Sequence, residues 1–300
     1  MRFRSVVFRL LPVMALSVLS GCEIINPTED TPSYLKINSI PLDPRKNATE
    51  SYGSASNNIV DAWVFANKKI IGCFELPATI PILADGNVEI DVYAGIYGDG
   101  QKAARFPFAF YTQYDTTVLM EPGKVTDIAP KVKFESRTVL PFDVYEDFSA
   151  FPATPAIRVV PNSPYKLVVN QDSLTDYKYA NGTVGVVYGV AGQTSDLVLE
   201  SLFNGKLPQG NAPVFLEFDY RSTRSFKVGV SATPVGGNAV PILDLTLNPT
   251  RQWTKMYVNL TEEVNITGLQ NANFRMLWQV SMNGNPSDYF AIDNIRLIHF

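Results

Sequence analysis

Histidine and cysteine are nearly missing from this chain of 300 residues, which has one His and two Cys. His299 sits one residue from the C-terminus, so a histidine-built zinc site and a Ser-His-Asp triad both ask for more than it can give. A basic surplus is also missing: 25 Lys and Arg face 29 Asp and Glu, a net of −4. That balance leaves no electrostatic footprint for nucleic acid or an anionic bilayer. Past the first 21 residues no apolar run nears the roughly 18 residues of a membrane span. Helical periodicity is absent too, and no internal repeat or low-complexity tract stands out.

What the chain does have begins at its start. Arg2, Arg4 and Arg9 precede an apolar run over 10–19, then Leu19-Ser20-Gly21-Cys22. A basic start, a short apolar middle and a small-residue cleavage site make a secretory signal over residues 1–21. The last four residues resemble the lipobox of bacterial lipoproteins, which implies acylation of Cys22 as the new N-terminus. An acylated cysteine holds a protein at a membrane surface, with each buried methylene adding about 0.8 kcal/mol. By resemblance the setting is extracytoplasmic, the outer membrane or cell surface of a Bacteroidota-type cell. Loss of the three arginines leaves 22 basic residues (25 less 3) against 29 acidic, a net of −7. Cys73 then has no partner for an intrachain disulfide, and within Ile70-Ile71-Gly72-Cys73-Phe74 it reads as a buried small hydrophobe.

Residues 22–33 are polar with two prolines and read as a tether. Over 34–135, short apolar runs alternate with turn chemistry. Strands are expected at 34–40, 59–66, 69–75, 88–93, 116–120 and 125–133, with Asn67-Lys68 as a tight hairpin turn. This spacing predicts a small β-sandwich. Asp61-Ala62-Trp63-Val64-Phe65, Gly72-Cys73-Phe74-Glu75-Leu76-Pro77 and Ile80-Pro81-Ile82-Leu83 resemble the PEGA and prealbumin-like group of extracellular β-domains. Such domains serve as spacers or interaction modules. Gly98-Asp99-Gly100-Gln101-Lys102-Ala103 mimics a dinucleotide-binding glycine motif, but Phe106-Pro107-Phe108 leaves no room for the helix that motif must open. It reads as a loop.

A boundary at 136–141 leads into a second domain over 142–300. Strands are expected at 166–170, 182–190, 197–203, 214–220, 226–231, 241–247, 256–260, 274–282 and 289–300, which suits a jelly roll, two antiparallel sheets face to face. The fold class is therefore all-β, two sandwich domains in sequence. Glu146-Asp147-Phe148, Phe215-Leu216-Glu217-Phe218-Asp219-Tyr220, Trp253-Thr254-Lys255-Met256-Tyr257 and Ile292-Asp293-Asn294-Ile295 resemble the jelly-roll type of carbohydrate-binding module. The resemblance implies sugar recognition without catalysis, and a structural calcium held by Asp293 with Asp147 or Glu146. A metal-free β-bulge is the other reading of Asp293-Asn294. Phe290 and Ile292 keep one parity, Ile295 and Leu297 the other, and a one-residue slip would turn all four to one core.

Two further constellations carry chemistry. Glu217 and Asp219 lie two apart on a strand, about 6.6 Å, on one side. One family of sandwich glycosidases uses a Glu-x-Asp-x-Glu strand, but Arg221 stands where the third acid belongs. The competing reading is a solvated face of Glu217, Asp219 and Arg221 opposite a core face of Val214, Leu216, Phe218 and Tyr220. On the neighbouring strand Met256, Val258 and Leu260 claim the core, which places Trp253, Lys255 and Tyr257 on the outer face, while Trp278 reads as core. Flat rings on a sheet surface stack on sugars. Trp253 and Tyr257 are thus the expected ligand-binding pair for a polysaccharide. The expectation is a lipid-anchored binding protein with no catalytic residues, no cofactor beyond the calcium and no nucleic-acid partner. An adhesin, fimbrial or scaffold component, and a glycoside hydrolase, are the other classes.

Overall fold

The computed structural model describes residues 29–45, 51–141, 145–149, 155–170 and 183–300; the signal segment and Cys22 lie outside them. The first domain contributes β1 (Ser33–Ile37), β2 (Leu42–Asp43), β3 (Asp61–Ala66), β4 (Lys69–Glu75), β5 (Ala78–Ile82), β6 (Gly86–Tyr97), β7 (Arg105–Pro107), β8 (Tyr114–Met120), β9 (Val125–Ile128) and β10 (Val132–Lys133). One sheet runs β5-β1-β9 and a second runs β4-β3-β6, with β8 and β7 on successive halves of β6; β2 and β10 form a ribbon. Alternation explains the layering, because Leu35 and Ile37 from β1 meet Val88, Ile90 and Val92 from β6 in one core. Asn67 and Lys68 take φ of 47° and 64°, the left-handed pair that a two-residue hairpin needs.

The second domain contributes β11 (Ile157–Val159), β12 (Leu167–Asn170), β13 (Val184–Tyr188), β14 (Leu197–Ser201), β15 (Val214–Ser222), β16 (Phe226–Thr233), β17 (Val240–Leu247), β18 (Thr250–Asn259), the single turn α1 (Thr261–Val264), β19 (Asn273–Val280) and β20 (Tyr289–His299). Its two sheets, β11-β14-β19-β16-β17 and β12-β13-β20-β15-β18, pack face to face as an all-β sandwich. Leu216, Phe218 and Tyr220 of β15 meet Phe226, Val228 and Trp278 of the opposite sheet, with the Phe218 and Trp278 rings edge to face at 5.9 Å. Gly185 permits this closure, since a Cβ there would stand 2.3 Å from the Phe148 ring.

The last strand slips as its parity demands. Glu217 opposes Arg296 and Asp219 opposes Asp293, so two residues of β20 face one of β15, and Asn294 takes φ 49°. Phe290, Ile292, Ile295 and Leu297 all reach one core as a result.

The two domains do not merely follow one another. Phe215, Tyr257 and Ile298, from the outer face of the second domain's sheet, belong to the first domain's core. The boundary segment joins in, with Val139 pairing with His299 on the last strand. The glycine loop is a docking element: Asp99 (φ 52°) accepts the Asn259 N–H at 2.9 Å, and a Cβ on Gly100 would meet Met256 at 3.0 Å.

Candidate functional site

The outer face of the sheet β12-β13-β20-β15-β18 holds most of the residues singled out above, and it is divided in two. One half lies under the first domain. Glu217, Asp219, Asp293 and Arg296 are fully buried there, and Lys255 nearly so. Arg296 Nη1 donates to Glu217 Oε2 at 3.0 Å, and its Nη2 donates to the Ser54 carbonyl. Lys255 Nζ lies 3.3 Å from Glu217 Oε2 and 4.0 Å from Asp219 Oδ2, while Ser56 Oγ donates to Asp219 Oδ2 at 2.6 Å. The solvated face expected of Glu217 and Asp219 is therefore corrected. The ion pairing is present, but the first domain removes the water. The same burial leaves no route by which a glycan could reach either carboxylate, which speaks against the glycosidase reading.

Tyr257 is the second correction. Only 1% of its surface is exposed. Its hydroxyl accepts the Asn58 N–H at 2.9 Å and lies 3.3 Å from the Tyr111 hydroxyl, and its ring meets Phe108 edge to face at 5.1 Å. Burial raises its hydroxyl pKa above the ordinary range. Tyr257 is an interdomain core residue with no ring face left for a sugar.

The structure does bring the first acidic segment to the bulge. Glu146 pairs with Ile295 through both backbone hydrogen bonds, at 3.0 and 2.9 Å. Burial, then the nearby Asp219 and Asp147 charges, push the Asp293 carboxyl up to about 9, against the Asn294 N–H that lowers it. Both Asp293 oxygens face Asn294, its backbone N–H at 2.8 Å and its amide at 3.2 Å. Asp147 accepts from the Tyr145 hydroxyl at 2.8 Å and from Ser149. Among the described residues no three His, Cys, Asp or Glu side chains gather as metal ligands, whereas calcium takes six to eight oxygens. Asp147 and Asp293 are close enough for their charges to interact.

The other half of the face carries Trp253. Its strand pairs Tyr257 with Glu217 and Lys255 with Asp219, and Trp253 lies just past Thr254, where the pairing with β15 shifts register between Tyr220 and Ser222. It packs, partly exposed, as Tyr289 does, against fully buried Val184, Val186 and Ala291, a cluster without a first-domain member among the described residues. The Arg221 guanidinium lies 5.9 Å from the Tyr289 ring centroid. Tyr188 and Val168, exposed by 40% and 42%, continue the strip to the sheet edge. Five strands at about 4.8 Å spacing make the strip roughly 19 Å across. Sequence reasoning does not single out Tyr289, because it stands at the start of the last core strand. Its parity, opposite to Phe290, is the available signal.

Of the other residues named from the sequence, Cys73 is a free thiol on the edge strand β4, half-buried, with its pKa raised by burial and by Asp61. His299 is half-buried, and burial lowers its pKa.

Neither a family model nor a curated protein matches this chain. Solved structures match over about half of it. The CBM22-1 xylan-binding domain from Paenibacillus barcinonensis is 8% identical with a TM-score of 0.36, over 54% of this chain and 94% of that one. The family 11 carbohydrate-binding module of a Clostridium thermocellum cellulosomal cellulase is 14% identical with a TM-score of 0.32, over 54% and 95%. The chain spans only 19% of a bacteriophage CBA120 tailspike domain, 26% of an arabinofuranosidase and 28% of a two-module xylanase chain from Clostridium thermocellum that it also matches. At these identities and scores the likeness carries no argument about this chain, whose β-sandwich architecture rests on its own two sheets. It says nothing about the PEGA-like reading of the first domain.

Proposed function

We propose that this chain is a lipid-anchored, extracytoplasmic binding protein, held at the outer membrane or cell surface through acylated Cys22. Its second domain recognises a polysaccharide without cleaving it. One observation carries the reading: Trp253 and Tyr289, each partly exposed, pack on one outer cluster of Val184, Val186 and Ala291 that has no first-domain member among the described residues. A partly exposed indole fixed on an apolar bed loses little freedom when a sugar stacks on it. The acidic net charge favours a neutral polymer over an acidic one. Stacking of this kind gives affinities nearer millimolar than nanomolar per site, and many anchored copies raise that by avidity. Sealed Glu217 and Asp219 support a role without catalysis.

The test is electrophoresis of the full chain carrying Cys22→Ala through gels cast with xylan, mixed-linkage glucan, mannan or galactan. At least one polymer is expected to retard it. Trp253→Ala should weaken the retardation about tenfold or more, and Tyr289→Ala by less. Free migration in all four, or retardation indifferent to both substitutions, would leave a scaffold or adhesin role instead.

A further inference from the structure

The junction of the two domains forms a groove that neither Trp253, Tyr257 nor Tyr289 lines. It encloses about 580 Å3, within the range of ligand clefts. Phe106 from β7 and Phe215 from β15 form its floor, their rings edge to face at 6.2 Å, and Asn211, Asn259, Thr261 and Glu262 stand around them. The floor exists only because the domains are locked together, since one ring comes from each.

The rim is polar and underused. The Asn259 side-chain carbonyl accepts the Thr261 N–H at 3.0 Å, which leaves its amide protons without a partner among the described residues. Thr261 Oγ1 accepts the Val214 N–H at 3.1 Å and keeps its hydroxyl proton to give. Asn211 and Glu262 are exposed, and their side chains face solvent at the rim. Among the described residues no lysine or arginine lines the groove. An aromatic floor, amide and hydroxyl donors, one carboxylate acceptor and no cation fit a neutral sugar chain. They disfavour a phosphate, a uronic acid or a nucleic acid, for which the groove has no counter-charge.

We propose that this groove is a second carbohydrate site, taking a short neutral oligosaccharide across both domains. Phe106 would be the stacking ring, and Asn211, Asn259, Thr261 and Glu262 the hydrogen-bonding rim. The site is independent of Trp253, which stands in the separate cluster with Val184, Val186 and Ala291.

The test uses the full Cys22→Ala chain labelled with 15N and titrated in turn with xylohexaose, cellohexaose, laminarihexaose and mannohexaose. For at least one, the Asn211 and Asn259 side-chain amides and the Thr261 backbone amide should shift along one saturating curve. Phe106→Ala should weaken that curve about tenfold. Asn211→Gly, at a position of φ 63° where glycine keeps the fold, should weaken it several-fold. Trp253→Ala should leave it unchanged, so failure of the sheet-face site and failure of the groove are told apart. Silence of all three signals with all four sugars would overturn the proposal. So would shifts indifferent to both groove substitutions, or shifts lost in Trp253→Ala. Equal shifts with a proline-rich peptide would overturn it too, marking a protein-docking groove instead.

Discussion

Arg296 donates to Glu217 at 3.0 Å with neither side chain reaching solvent, and this second-domain pair lies under the first domain, whose Ser54 carbonyl also accepts from Arg296. Lys255 and Asp219 complete a cluster of two bases and two acids. Taking such charges out of water costs several kcal/mol per ion, and mutual attraction offsets this only while every partner is present. Phe215, Tyr257 and Ile298 beside it contribute roughly 1.5–3 kcal/mol each by burial. On these magnitudes the apolar residues hold the domains together, and the charges set how they fit.

Removing one charge should therefore harm more than removing the set. Glu217→Ala takes from Arg296 its carboxylate partner and leaves Lys255 only Asp219 at 4.0 Å, at an expected cost of about 3–5 kcal/mol in urea unfolding. The quadruple replacement Glu217→Leu, Asp219→Asn, Lys255→Met, Arg296→Met should recover most of that loss. A Glu217→Ala cost below about 1 kcal/mol would mean that water reaches the cluster.

Asp293 gives a pH dependence of known sign. Its carboxyl is raised in the folded state, to about 9, so the native protein holds a proton that the unfolded chain releases near pH 4. Its contribution is complete below about pH 4 and is lost as pH rises through the window up to about 9. Asp293→Asn should remove that decline and raise the melting temperature at pH 8, with little change at pH 4. Each 1 kcal/mol gained would appear as about 2–4 °C. Calcium set against chelator is the companion measurement. A stabilisation by calcium that Asp293→Asn abolishes would show a cation taking the place of that proton.

Tyr257 and Trp253 should separate cleanly. Tyr257→Ala removes a fully buried ring and a hydroxyl that accepts from Asn58, so a loss of about 3–5 kcal/mol is expected. Trp253→Ala, at a partly exposed position, should cost less than about half of that. Thermal melts of the two variants check the order, and the reverse order would contradict the burial described.

Cys22→Ala should move the protein from the membrane fraction to the soluble one after cell lysis. Retention with the membranes would end the lipid-anchor reading.

Much of the second domain is legible in the sequence because alternation is a local signal. Val214, Leu216, Phe218 and Tyr220 name their own core face, and the conflict between Ile292 and Ile295 locates the bulge within one residue. The opposite face misleads because a charged strand face looks alike under water or under another domain. The signal that distinguishes them lies in three residues on three strands. Phe215, Tyr257 and Ile298 are apolar at outer positions, and only the pairing of β15 with β18 and β20 gathers them at one end. β5 is also hidden, since Pro77 and Pro81 read as breakers. It is an edge strand, where a missing N–H costs nothing in the ladder.

Trp253 is the residue expected to meet the polysaccharide, and its own fluorescence reports that contact. The chain has three tryptophans, of which Trp278 is fully buried in the second core and Trp63 lies in the first domain. Titrating the polymer that retards the Cys22→Ala chain should shift or quench the emission along a saturating curve, and Trp253→Phe should abolish that change while leaving the melting temperature near that of the parent. A polymer that binds with no change in emission, or with a change that persists in Trp253→Phe, would contradict it.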